Sequence, residues 1–177
     1  IKKYKIKNLN NILSKMLDIN EKTAHEIIQN LWVGNYLSAK DPEFIQSQNI
    51  KYIINLTENY PNYFSNITYL NIPIVDDELN IKESNYLFEI TNRFIYEALK
   101  NDEGVLVHCY AGHHRSASVV LSFLLKYLAI PFETGIKYIR SIRPTTLRRK
   151  TRMVISVYKY YKYITQDPSV YEKVHPY

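Results

Sequence analysis

One junction constrains this chain more than any other. The apolar run Val105-Leu106-Val107 stops abruptly at His108-Cys109 and crosses a polar stretch from Tyr110 to His114. It reopens as Arg115-Ser116-Ala117-Ser118, ahead of a second apolar run from Val119 to Leu125. β-Branched residues stack well inside a sheet, so the first run reads as a buried strand. The second is long enough for a buried helix. Backbone N–H groups of a short loop between strand and helix can converge on an anion, and the helix start adds the positive end of its dipole. Cys109 opens that loop and Arg115 closes it. Positive surroundings favour the thiolate, which is the nucleophilic form of cysteine. Arg115 carries a planar fork of donors that fits two phosphoryl oxygens. A structural cysteine followed by a helix-opening arginine would also read C-x5-R. The strand, His108, Gly112 and the following helix in one run favour the anion-binding reading.

His108-Cys109-x5-Arg115-Ser116 resembles the signature loop of the cysteine-dependent protein phosphatases, and Ser116-Ala117-Ser118 is similar to their dual-specificity branch. The resemblance runs roughly from Leu31 to Tyr163. Leu31-Trp32-Val33-Gly34, with Leu37 and Ala39, looks like the opening of that domain, and Arg143-Pro144 resembles the pair that ends a later helix. Thr145 to Lys150 departs from the Pro-Asn with which family members often continue. The wording Ile72-Pro73-Ile74-Val75-Asp76-Asp77, and an extension before Leu31, are similar to poxvirus-type members.

The resemblance implies a two-step reaction in which Cys109 becomes a cysteinyl phosphate while a carboxylic acid protonates the departing oxygen. Water then frees the phosphate. The family's acid follows an Ile-Pro-Ile/Leu-x segment, which puts it at Asp76, with Asp77 as the alternative. Arg115 and the phosphate loop (His108, Tyr110, Ala111, Gly112, His113, His114) would hold the oxygens. Ser116 would hydrogen-bond the Cys109 sulfur, a role compatible with capping the helix. His108 is expected to face away and order the loop. His113-His114 departs from the Ser-Arg or Asn-Arg ending common in the family. The pair reads as solvated imidazoles on the rim, which would strengthen anion binding if protonated. No metal and no other cofactor is implied, because Arg115 and the loop supply the positive field.

Composition sets the remaining bounds. The 177 residues give room for one domain with a full core. No uninterrupted apolar run approaches the roughly 20 residues of a membrane span. No apolar segment follows Ile1-Lys2-Lys3-Tyr4, so no secretory signal is expected. The single cysteine excludes an internal disulfide, a C-x-x-C redox pair and a cysteine-cluster zinc site, and it suits a reducing compartment. The expected location is intracellular and cytoplasmic, without a membrane. The net charge of +6 steers anionic partners without demanding nucleic acid. Heavy use of Asn, Ile, Lys and Tyr fits an AT-rich genome, such as that of a large DNA virus or a protozoan; a viral protein would act in the host cytoplasm or the virion.

Residues 1–28 read as a helical extension, 29–165 as the catalytic domain and 166–177 as a tail. Ile6, Leu9, Ile12, Leu13, Met16 and Leu17 recur at helical steps. That stripe suits either the domain's own core or pairing with a second copy as a homodimer. Leu31 to Asn35 reads as a strand into a tight turn, with Gly34-Asn35 supplying positive φ. Asp41-Pro42 opens a short helix. Lys51–Leu56 and Ile67–Leu70 read as strands. Ile81–Lys100 and Phe132–Ile142 read as helices, and a last helix carries Met153, Val157 and Tyr160. Arg148, Arg149, Lys150 and Arg152 read as solvated first turns of that helix or, alternatively, as a second anion site. Strands alternating with helices predict one α/β domain: a central, mostly parallel sheet covered on both faces, protein tyrosine phosphatase-like by resemblance, with an extra N-terminal helix.

The expected activity is hydrolysis of phosphotyrosine and phosphoserine/phosphothreonine in phosphoprotein substrates. RNA 5′-triphosphatases and phosphoinositide phosphatases share the loop. The former usually follow the Arg with Thr-Gly, and the latter often carry lysines where Tyr110 to His114 has none. A phosphate-binding pseudophosphatase is disfavoured by intact Cys109, Asp76 and Arg115.

Overall fold

The computed structural model describes residues 22–148 and 151–166. The stripe from Ile6 to Leu17, Arg149, Lys150 and the tail after Gln166 lie outside these residues. In chain order the elements are β1 (Ala24–Ile28), β2 (Leu31–Gly34), α1 (Tyr36–Ala39), α2 (Pro42–Ser47), β3 (Ile50–Asn55) and β4 (Thr68–Asn71). There follow α3 (Ile81–Lys100), β5 (Gly104–His108), α4 (Arg115–Tyr127), α5 (Phe132–Ile142) and α6 (Met153–Gln166).

The sheet has the order β1-β2-β5-β3-β4. β2, β5, β3 and β4 run parallel, and β1 joins antiparallel to β2. β5 and β3 each have a parallel neighbour on both sides, and all five residues of β5 are buried. Side-chain alternation divides them between two layers. Val105 and Val107 join Leu31, Val33 and Ile54 in the cluster that includes Phe88, Val120, Leu124 and Val157 from α3, α4 and α6. Leu106 joins Ile50 and Ile53 in the opposite layer, under Ala39 and Ile45 of α1 and α2. Trp32 packs there edge-on against Phe44, with ring centroids 5.2 Å apart. The long helices therefore cover one face and the short ones the other. Burying Val105, Leu106 and Val107 contributes roughly 5–9 kcal/mol before chain entropy is counted.

Local signals set the element ends. Asn80 and Glu83 form a reciprocal capping box that starts α3. Asp41 caps α2 with Pro42 in its first turn. α4 stops at Ala129, which adopts φ +51 two residues before Pro131. Gly135 lets α5 lie against α4: a Cβ there would sit 2.6 Å from Leu121 Cδ1. The expectation of positive φ at Gly34-Asn35 is corrected. Neither residue adopts it, and Asn35 (φ −99) caps α1 through its side chain instead. Gly34 is demanded by close approach, since a Cβ would meet Ser38 Oγ at 2.2 Å. The reading of residues 1–28 as a helical extension is corrected at Ala24–Ile28, which form β1 and extend the sheet antiparallel to β2. No helix among the described residues is long and apolar enough to cross a membrane.

Candidate active site

Cys109 follows directly on β5, at the carboxyl edge of the parallel strands, where open α/β sheets bind ligands. The loop it opens is held by its carbonyls. Tyr36 N–H donates to the Tyr110 carbonyl at 3.2 Å and Leu147 N–H to that of His113 at 3.0 Å. Arg143 supplies the other two: Nη2 donates to the Ala111 carbonyl at 3.3 Å and Nε to that of Gly112 at 2.9 Å. In a planar trans peptide, the C=O of one residue and the N–H of the next point opposite ways. Four carbonyls drawn outward leave the N–H groups of Ala111, Gly112, His113 and His114 turned to the inner side of the loop. Such a run of N–H groups is an anion-binding concavity. Gly112 makes the curve possible with φ +70, and any Cβ there would lie 2.6 Å from the Gly34 carbonyl oxygen.

Within this loop Cys109 is 3% exposed, and its Sγ lies 3.4 Å from Ser116 Oγ. Ser116 sits one residue inside α4. The N-cap position is His114, without a side-chain cap, so the Ser116 hydroxyl serves the sulfur and not the helix end. Arg115 starts α4. Its Nη1 donates to the carbonyls of Leu56 (3.3 Å) and Ile74 (3.1 Å), while Nε is buried with no hydrogen-bond partner. The guanidinium is thus braced by backbone and keeps a donor uncommitted. His108 is 1% exposed. Burial, reinforced by the Arg115 charge, pushes its pKa down to about 4 against a partial offset from the Cys109 backbone. It is therefore a neutral ring at the end of β5 with its Nδ1 buried and unpartnered, and its backbone carbonyl accepts from Leu56 N–H at 3.1 Å.

The segment after Pro73 brings the carboxylates. Asp76 Oδ2 lies 3.0 Å from His114 Nδ1. Asp77 turns the other way: its Oδ1 accepts from Glu78 N–H at 2.7 Å and lies 3.3 Å from Arg152 Nε. Lys159 and Arg152 both pair with Glu78 and hold its carboxyl below the usual range. The reading of His113-His114 as a solvated pair is corrected for His114, which faces Asp76 and has its Nε2 buried. The second-anion-site reading of the basic run loses support at Arg152, because Asp77 and Glu78 occupy it.

A cavity of about 340 Å³ opens beside the loop, with Arg115, Tyr110, Tyr60, Val75 and Glu58 in its wall. Tyr36 stacks on Tyr60 (4.6 Å between centroids) and on Tyr110 (5.4 Å), so an aromatic wall stands on one side of the mouth. The described residues contain no group of three His, Cys, Asp or Glu side chains placed to hold a metal ion.

The model of the dual specificity phosphatase catalytic domain matches residues 31–162. The chain belongs to the dual-specificity phosphatase family. Dual specificity protein phosphatase 15 of Mus musculus is 30% identical over 120 residues, covering 67% of this chain and 50% of that protein. Dual specificity protein phosphatase 1B of Arabidopsis thaliana is 30% identical over 123 residues, covering 69% of this chain and 72% of the relative. The crystal structure of DUSP15 shares the fold with a TM-score of 0.75 at 24% identity, over 85% of this chain and 94% of that one. The chain spans about half the length of the mouse and rat relatives.

This dual-specificity phosphatase domain brings Cys109, the loop from Tyr110 to Arg115, Ser116 and Asp76 together, and it turns Asp77 away. Sequence reasoning missed Arg143, read there only as a helix stop. Its guanidinium is buried with Nη1 on the Lys22 carbonyl (2.9 Å) and His25 Nδ1 (2.7 Å). An arginine closing an amphipathic helix before a proline was the available signal, and nothing local says that it reaches the loop. Tyr36 and Tyr60 were also missed, since no pattern joins them to Tyr110.

Proposed function

We propose that this chain hydrolyses phosphate monoesters on protein tyrosine and serine/threonine through a cysteinyl-phosphate intermediate. The observation that carries the reading is the meeting of the Cys109 thiol, the braced Arg115 fork and the Asp76 carboxyl around one loop whose N–H groups turn inward. In the first step the Cys109 thiolate attacks phosphorus, the ester P–O bond breaks, and Asp76 gives its proton to the leaving oxygen. In the second step Asp76 takes a proton from water, the water oxygen attacks phosphorus, and the P–S bond breaks. The Ser116 hydroxyl stabilises the departing thiolate, and Arg115 and the loop N–H groups hold the equatorial oxygens throughout. Asp76 is favoured over Asp77 because Arg152 holds Asp77 away from the loop.

Phosphoproteins are the proposed substrates. The homodimer reading rests on the stripe Ile6 to Leu17, and the poxvirus-type likeness on Ile72 to Asp77 with the same extension. Cytoplasmic action rests on a nucleophilic thiol that works only when reduced. The test is phosphate release, without added metal, from an aryl phosphate, phosphotyrosine and phosphothreonine peptides, an RNA 5′-triphosphate and phosphoinositides. Turnover of both peptide classes that Cys109→Ser abolishes is the expected result. Activity confined to RNA or lipid would replace the substrate class, and binding of phosphopeptides without turnover would make the domain a reader of phosphate.

A further inference from the structure

We propose that His114 is a positioning residue for the general acid: its Nδ1 fixes the Asp76 carboxyl so that the other oxygen faces the leaving group. The proposal rests on the phosphatase reading above. Asp76 stands on an irregular segment with little of its own to hold it. Val75 is 64% exposed, and the side chain of Asp76 is 43% exposed. Regular backbone anchoring of the segment ends at Ile74, whose N–H donates to the Leu56 carbonyl and whose carbonyl accepts from Arg115. It resumes at Leu79, where N–H donates to Ser156 Oγ. An exposed carboxyl between such anchors would rotate freely on the nanosecond scale.

His114 removes that freedom because it is itself fixed. It occupies the N-cap position of α4, its carbonyl accepts from Ser118 N–H at 2.8 Å, and its Nε2 is buried. The geometry assigns a division of labour between the two carboxyl oxygens. His114 Nδ1 and Asp76 Oδ2 lie 3.0 Å apart, and the tautomer with its hydrogen on Nδ1 donates to Oδ2. The acidic proton then rides on Oδ1 and passes to the ester oxygen as the P–O bond breaks. The carboxylate left behind keeps the Nδ1–H bond, and Oδ1 later accepts the proton of the attacking water. A ring hydrogen on Nδ1 fits both stages, because the buried and unpartnered Nε2 then carries a lone pair and no unmatched N–H. Positioning of this kind counts most where the leaving group most needs a proton, since misplacement by about 1 Å costs on the order of 100-fold.

The experiment compares His114→Ala and His114→Asn with wild type on 2,4-dinitrophenyl, 4-nitrophenyl and phenyl phosphates and on a phosphothreonine peptide. The expected result for His114→Ala is a loss in kcat of about 10- to 100-fold on the peptide and on phenyl phosphate. That loss should shrink steadily as the leaving group improves, steepening the leaving-group dependence. His114→Asn, whose amide can donate from nearly the Nδ1 position, should recover part of the loss. In an Asp76→Asn background, His114→Ala should add no further loss. An equal loss on every substrate, or the same loss in the Asp76→Asn background, overturns the proposal and leaves His114 shaping the phosphate loop alone. Wild-type protein that turns over none of the substrates overturns the phosphatase reading itself.

Discussion

Arg143 Nε donates to the Gly112 carbonyl at 2.9 Å, bridging 31 residues of sequence from the end of α5 to the crest of the phosphate loop. The same guanidinium reaches Ala111, Lys22 and His25. One buried cation thus stretches the loop outward and ties it to the segment entering β1. Inward N–H groups exist because outward carbonyls are held.

Removing that clamp should loosen both fold and anion site. Arg143→Met strands buried carbonyls, each at about 1–3 kcal/mol. The expected outcome is a destabilisation of about 3 kcal/mol in urea denaturation and roughly tenfold weaker inhibition by tungstate. Arg143→Lys, which can keep one of the bonds, should fall between the two. Unchanged tungstate affinity in Arg143→Met would mean that the loop holds its curve without the clamp.

Ser116→Ala should slow the second chemical step more than the first. A hydrogen bond to a charged sulfur contributes about 1.5–3 kcal/mol, a rate factor of roughly 10–100. With an aryl phosphate, rapid mixing should show a burst of phenol equal to the enzyme, followed by slow turnover. Loss of the burst itself would put the hydroxyl's effect in the attack of Cys109.

The two adjacent aspartates should separate cleanly. Asp76→Asn is expected to lower kcat on phosphothreonine peptide by about 100-fold or more, as loss of a general acid does. Asp77→Asn gives up only an exposed, solvent-screened ion pair with Arg152, and should change kcat less than about threefold. The reverse ranking would move the acid to Asp77.

His108 makes stability depend on pH in a stated direction. Its folded pKa of about 4 lies below the ordinary value of 6.5, chiefly through burial. Below pH 6.5 the unfolded chain takes up a proton that the native protein refuses. The stabilisation present at neutral pH is therefore lost as pH falls toward 4, by about 3 kcal/mol in all. Urea midpoints at pH 7 and pH 4.5 should diverge in wild type and draw together in His108→Asn. Equal divergence in both would place the acid sensitivity elsewhere.

The sequence by itself determined most of the elements, β1 excepted, and the residues that stand consecutively around Cys109. Apolar periodicity marks β3, α3 and α5, and the strand–loop–helix order around Cys109 sets a thiol beside a loop of backbone N–H groups, because a strand end and a helix start meet there whatever the rest does. Cys109, Arg115 and Ser116 are close in sequence, so their spacing alone brings them together. Tertiary structure decided everything that crosses the chain. It set the Asp76 carboxyl against His114 and gave Asp77 to Arg152, turned His114 from a rim residue into a partner of Asp76, and sent Arg143 back to Ala111 and Gly112. Gly34, read as a turn residue, proved to be a packing residue under Ser38. These contacts depend on which buried surfaces meet when the helices close over the sheet, and local periodicity and turn chemistry carry no record of that meeting.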